Sequence, residues 1–237
     1  MKSLKSILTG ILFGASAIAG RAQAGEVQIP RPYVQTSFVS AFVSPAGTLV
    51  NENCRQDWAS ITTKGLTLGV WQGKFEGEEG FAERDYCASY TFPIAKDLTG
   101  NVGFMYWDYP NQRFGDYDSV EKVGLDYSGK VGASLHYAHL NENSVTSDGG
   151  RLCLKLSKPF KLTNEKAQAQ VTLTPSVAGA WIDNWYGRSG VSHVTPGVSL
   201  GVSRNNFSIN GFFNSQQSLN KDIENLNWGG VSFGYQF

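Results

Sequence analysis

The chain has 237 residues and is formally neutral, with 20 Lys and Arg against 20 Asp and Glu; it holds 27 Gly, 14 Phe, 10 Tyr and 6 Trp but only 3 Cys and 3 His. It has no basic run or stripe able to neutralise phosphates, which excludes a nucleic-acid surface. Beyond the N-terminal segment no stretch reaches the about 18 apolar residues of a membrane helix, so an exported chain of this composition is either soluble or crosses its membrane as a closed barrel.

The N-terminal "MKSLKSILTGILFGASAIAGRAQA" places basic Lys2 and Lys5 before an apolar segment from about Ile7 to Ala19, then a small-x-small site at Ala22-Gln23-Ala24. That order predicts a cleaved secretory signal over residues 1–24 and one mature barrel domain over 25–237. Removing Lys2, Lys5 and Arg21 leaves 17 basic against 20 acidic residues, a net charge of about −3.

Alternation then predicts about twelve strands, near 33–44, 56–63, 65–74, 81–93, 98–109, 118–127, 130–140, 150–159, 167–183, 190–203, 205–215 and 224–237. Ten strands is the alternative, because 56–74 also reads as one long bent strand and the hairpin within 118–140 is tight. In the fourth strand Tyr86, Ala88, Tyr90 and Phe92 lie opposite Glu83, Asp85, Cys87 and Ser89. In the eighth, Leu152, Leu154 and Leu156 lie opposite Arg151, Cys153 and Lys155, and near the end Phe207, Ile209 and Phe213 face away from Ser208, Asn210 and Asn214. Apolar-out, polar-in alternation of this kind predicts an all-β, antiparallel transmembrane β-barrel in the bacterial outer membrane. A soluble sandwich would put more Lys and Glu on its polar faces than the Gly, Ser, Thr, Asn and Gln found there.

The connections alternate too. Of the even-numbered connections, "KG" at 64–65, "PIAKD" around 93–97, "SGK" at 128–130, "FKLTNEK" at 160–166 and "RNN" at 204–206, most are short, whereas "PAGTLVNENCRQ" at 45–56, "NWYGRSG" at 184–190 and "QQSLNKDIEN" at 216–225 are longer. Short periplasmic turns and long outside loops, with an even strand count, put both ends of the mature chain on the periplasmic side. The acidic "EGEE" and "GDYD" then belong to a solvated outer rim.

The inward face is predicted to carry Glu83, Asp85, Lys122, Asp126, Arg151 and Lys155, with Gly69, Gly124, Gly132, Gly197, Gly201, Gly230 and Gly234 leaving space between them. Two readings stand for those charges: a salt-bridge lattice shaping the lumen, or the wall of a path that also selects solute. Cys87 and Cys153 fall on polar faces and Cys54 in the first outside loop, with no pairing assignable. Ser134 with His136, and Ser192 with His193, are the only serine and imidazole pairs worth weighing for an acyl hydrolase, and neither has a G-x-S-x-G elbow or an evident acidic third member. With His139 they complete the histidines, and none has a metal-ligand spacing. The expectation is a non-enzyme without cofactor or metal.

The closing "VSFGYQF", whose last residue is Phe237, resembles the final strand of Gram-negative outer-membrane proteins. Together with "GLTLGVWQGKF" (65–75), "FAERDYCASYTFPI" (81–94), "LTGNVGFMYWDYP" (98–110), "VEKVGLDYSGKVGASLHYAH" (120–139), "GRLCLKLSKPFKL" (150–162) and "VTLTPSVAGAW" (171–181), it is similar in order and spacing to a family of small proteobacterial porins of uncharacterised substrate, the TorF-like porins. The resemblance covers nearly all the mature chain. It implies that Phe233, Tyr235 and Phe237 form the signal read by the barrel-assembly machinery, that Glu83 and Asp85 match the family's acidic pair, and that Tyr109-Pro110 is its strand-end turn. The three Cys, and a first segment "YVQTSFVSAFVSPAG" without the family's Tyr, Arg and Gly-rich turn, depart from the pattern. The expected partners are outer-membrane lipids, the assembly machinery and small hydrophilic solutes diffusing passively through a narrow lumen. A non-conducting structural or surface-interaction barrel is the rival, and an outer-membrane acyl hydrolase a remote one.

Overall fold

The computed structural model describes residues 30–44, 47, 49–77, 83–110, 117–141 and 148–237. The expected signal segment and parts of the acidic loops at 78–79 and 115–116 lie outside these residues. Among the described residues no helix is long and apolar enough to cross a membrane.

The strands are β1 (Arg31–Val43), β2 (Leu49–Thr63), β3 (Leu66–Phe75), β4 (Glu83–Ala95), β5 (Leu98–Asp108), β6 (Tyr117–Ser128), β7 (Gly132–Leu140), β8 (Gly149–Ser157), β9 (Phe160–Lys161), β10 (Gln170–Trp185), β11 (Arg188–Arg204), β12 (Phe207–Ser218) and β13 (Leu226–Gln236). Consecutive strands pair antiparallel, except that β8 and β9 both pair with β10, and β1 closes on β13 with Tyr33 opposite Gln236 and Val39 opposite Gly230. The short β9 is the tail of β8: Ser157 faces Ser176 and Phe160 faces Leu173 on β10, one unbroken register interrupted at Lys158-Pro159. Proline cannot donate to a ladder, which accounts for the gap. The wall is therefore a closed barrel of twelve strands, with no free edge.

All twelve predicted strands are present, and ten is excluded because a two-residue turn splits 56–74. Lys64 (φ 47°) and Gly65 (φ 83°) take the left-handed backbone of a primed hairpin turn, whose twist suits the flanking strands. Two loop expectations fail. Strand β2 begins at Leu49, so Cys54 is a buried strand residue and not part of an outside loop. The 184–190 segment is no long loop either, because β10 and β11 extend to Trp185 and Arg188 and leave only Tyr186-Gly187 between them.

The outer wall is the apolar face predicted, with Leu154, Phe207, Ile209, Phe213, Val198 and Leu200 among its exposed side chains. Such a belt is stable only against lipid. The interior differs from the uniform polar lining expected. Towards the rim bearing most of the longer loops, Met105, Trp107, Tyr109, Val120, Ala138, Leu140, Ile182 and Trp185 form one packed cluster, and Val39, Phe42, Cys54, Trp71 and Phe75 another. Val120 alternates with Asp118 and Lys122 on one buried face, so apolar and charged residues share the same inner surface. The inward glycines do not leave the lumen empty: the Trp58 ring covers Gly69, and Asn214 covers Gly197. Towards the rim of tight turns the inward residues, such as Gln35, Ser60, Ser134 and Asn210, are only half-buried.

Candidate functional site

The barrel interior divides into a closed half towards the longer loops, where inward side chains are buried, and a half towards the tight turns, where they keep solvent exposure and the lumen is wet. All six sequence-predicted residues point inward, but they fall into two groups. Glu83 and Asp85 on β4, Lys122 on β6 and Arg151 on β8 are buried in the closed half, with Asp85 fully covered and Lys122 and Arg151 each 1% exposed. Asp126 and Lys155 lie lower, in the wet half.

The closed half is a septum that gathers buried acidic groups from β4 and β6 and buried basic groups from β6 and β8 on one inner surface. Buried charges persist only when opposed or hydrogen-bonded. Asp118 is the best-held: Tyr109 Oη donates to its Oδ2 at 3.0 Å and Tyr186 Oη donates to the same oxygen at 2.6 Å. Both phenols lie just beyond strand ends, where burial pushes their pKa values up and keeps them as protonated donors. The Arg151 guanidinium sits 4.6 Å from the Trp185 ring centroid, an arrangement that compensates a cation removed from water. Trp185 in turn meets Trp107 edge-on, centroids 6.5 Å apart.

The septum is latched from above by the 219–225 connection. Ile223, 6% exposed, leaves that loop to pack into the apolar cluster with Val120, Leu140, Ile182 and Trp185. Buried Gln216 on β12 donates through Nε2 to Gly47 O at 2.7 Å and to Glu224 O at 2.8 Å, which ties two outside connections together. Asn220 Nδ2 donates to Ser189 O at 3.0 Å and fixes the loop to β11 as well.

In the wet half Asp126 accepts from Asn101 Nδ2 at 2.6 Å and has His136 Nε2 at 2.8 Å. Gly124 makes this possible: a Cβ there would lie 2.8 Å from Asn101 Oδ1 and 2.9 Å from His136 Cγ, so only glycine lets both side chains cross it. The Asp126 side chain stays 43% exposed, and Lys155 is exposed as well.

Sequence reasoning missed Asp118, Tyr109, Tyr186, Gln216 and Ile223. The acidic "GDYD" reads as a solvated rim, but Asp118 within it shares the parity of Lys122 and Asp126, and that parity is the available signal. For Tyr186 and Ile223 none existed, since both lie in connections. The hydrolase pairs fare differently. His136 bonds Asp126 on the neighbouring strand, whereas Ser192 Oγ and His193 Nδ1 lie 2.7 Å apart in a buried bulge of β11. His139 points outward, 3.9 Å from Asp148 Oδ1. Cys54, Cys87 and Cys153 are all free thiols. Among the described residues no group of three His, Cys, Asp or Glu side chains gathers as a metal site requires.

No protein-family model matches the chain, and no curated protein matches it. Among solved structures it is similar to the NanC porin, with TM-score 0.50, 9% identity, and 87% of this chain covering 98% of that one. It is equally similar to LpxR from Salmonella typhimurium, with TM-score 0.50, 8% identity, and 86% of this chain covering 99% of that one. At such identities the likeness is one of fold. A closed twelve-strand antiparallel wall with an apolar exterior makes the chain a bacterial outer-membrane β-barrel.

Proposed function

We propose that the chain is a narrow, gated porin-like channel for small hydrophilic solutes, without enzymatic activity, in keeping with its resemblance to the TorF-like porins. The observation that carries this reading is the asymmetry of the lumen. A barrel serving only as a scaffold gains by packing its interior throughout, since buried apolar contact is the main stabilising term. Here half the lumen is left wet and polar and leads up to a septum of opposed charges, a geometry in which low-dielectric walls focus fields on a passing solute. The septum is shut by side chains and by one loop residue, Ile223, and these can move without breaking the strand ladder.

The buried septum also favours a second reading, a non-conducting surface barrel. Planar-bilayer recordings distinguish the two. The channel reading expects small or infrequent openings from the folded protein and larger, more frequent ones once Ile223 is made polar. A folded protein silent in both forms supports the scaffold.

A further inference from the structure

The wet half of the lumen contains a pair of opposite charges that do not pair with each other. Strand register places Thr99, Asp126, Ser134 and Lys155 in one row across β5 to β8, all on the inner face. With neighbouring strands about 4.8 Å apart, the Asp126 and Lys155 backbones stand about 10 Å from one another with Ser134 between them. The Asp126 carboxylate is held from one side by Asn101 and His136, and its remaining lone pairs face water. Lys155 makes no hydrogen bond or ion pair among the described residues, although a lysine stem could reach several acceptors. Ser157, next inward along β8, adds a second hydroxyl beside it.

We infer that this row is a binding site for short zwitterionic solutes, with an ammonium group and a carboxylate a few carbons apart. A simple anion drawn to Lys155 also meets the field of Asp126, and a simple cation drawn to Asp126 also meets that of Lys155. A zwitterion satisfies both: its carboxylate accepts from Lys155 Nζ and the Ser134 hydroxyl, while its ammonium donates to Asp126. Asn101 and His136 fix the carboxylate's position, so the ligand does not have to order it. The inference rests on the channel reading, because a solute reaches the row only through the lumen, and it names that channel's solute class.

β-Alanine is a suitable probe, with acetate and ethylamine as singly charged controls, titrated into the refolded full chain in detergent micelles and followed by saturation-transfer NMR. The site expects saturable β-alanine binding, weakened about five- to tenfold by Lys155→Gln or by Asp126→Asn, as partly solvated charged contacts allow. Lys155→Arg should retain most of it, and acetate and ethylamine should bind no better than β-alanine does to the neutralised variants. Heat-modifiable migration verifies that each variant is folded. A wild type without saturable binding, a Lys155→Gln protein binding like wild type, or acetate matching β-alanine would each overturn the inference. Binding in micelles needs only the vestibule and conductance needs the whole path, so loss of the channel reading and loss of the site give separate results.

Discussion

Tyr186 Oη lies 2.6 Å from Asp118 Oδ2, joining the β10–β11 turn to the first residues of β6 across the mouth of the barrel. The bond is possible because that turn is only two residues long and holds Tyr186 at φ 49°, a left-handed backbone that aims the ring inward over Trp185. A hydrogen bond to a buried carboxylate contributes about 1.5–3 kcal/mol. Tyr186→Phe should lower stability by that amount in urea unfolding from lipid vesicles, whereas Tyr127→Phe, on the lipid-facing side of β6, should change it little. Equal effects at the two positions would mean that the bond adds nothing.

Gly124→Ala tests the inner wall. The new methyl would collide with Asn101 and His136, and overpacking of this kind costs about 1–3 kcal/mol. Gly201→Ala is the control, because its Cβ would meet nothing nearer than Asn210 Oδ1 at 3.6 Å. The account expects the first substitution to reduce unfolding stability and the second to leave it close to wild type.

Most of the wall was legible in the sequence, and much of the interior was not, for a physical reason. Alternation reports which residues share a face, and lipid on one side enforces it, so Leu152, Leu154 and Leu156 could be separated from Arg151, Cys153 and Lys155 without any structure. The inner face has no such uniform solvent. Val120 and Lys122 lie two residues apart on it because local packing decides whether an inward position meets water, a ring or a charge. Alternation also says nothing about the groups that connections bring over the mouth, and Tyr186 and Ile223 come from there. The Asp126–His136 pair needed the β6–β7 register, with Gly124 opposite His136, which neither sequence segment contains by itself.

The facing assignment has its own test. Leu154→Lys puts a charge on the lipid side at a cost of about 2–4 kcal/mol near the bilayer midplane, less towards an interface. Lys155→Gln, on the opposite face, should insert normally. Refolding yield into bilayers, followed by heat-modifiable migration, should fall for the first variant and not for the second; matching yields would contradict the assignment.

Phe237 continues β13, with its backbone N–H donating to Pro32 O at 2.9 Å and its ring against Tyr235, centroids 4.7 Å apart. If Phe233, Tyr235 and Phe237 are read by the assembly machinery, deletion of Phe237 should reduce outer-membrane yield in cells much more than refolding yield in vitro, since the lost contacts are few. Equal losses in the two settings would assign the residue a structural role only.

The most direct measurement is single-channel conductance of the refolded protein in planar bilayers, wild type beside Ile223→Asp. A polar side chain at that position is expelled from the apolar cluster of Val120, Leu140, Ile182 and Trp185, and the latch that closes the septum goes with it. The account predicts low, intermittent conductance for wild type and a several-fold higher open probability for the variant, with both correctly folded. A folded variant as silent as a folded wild type at every applied voltage would contradict it.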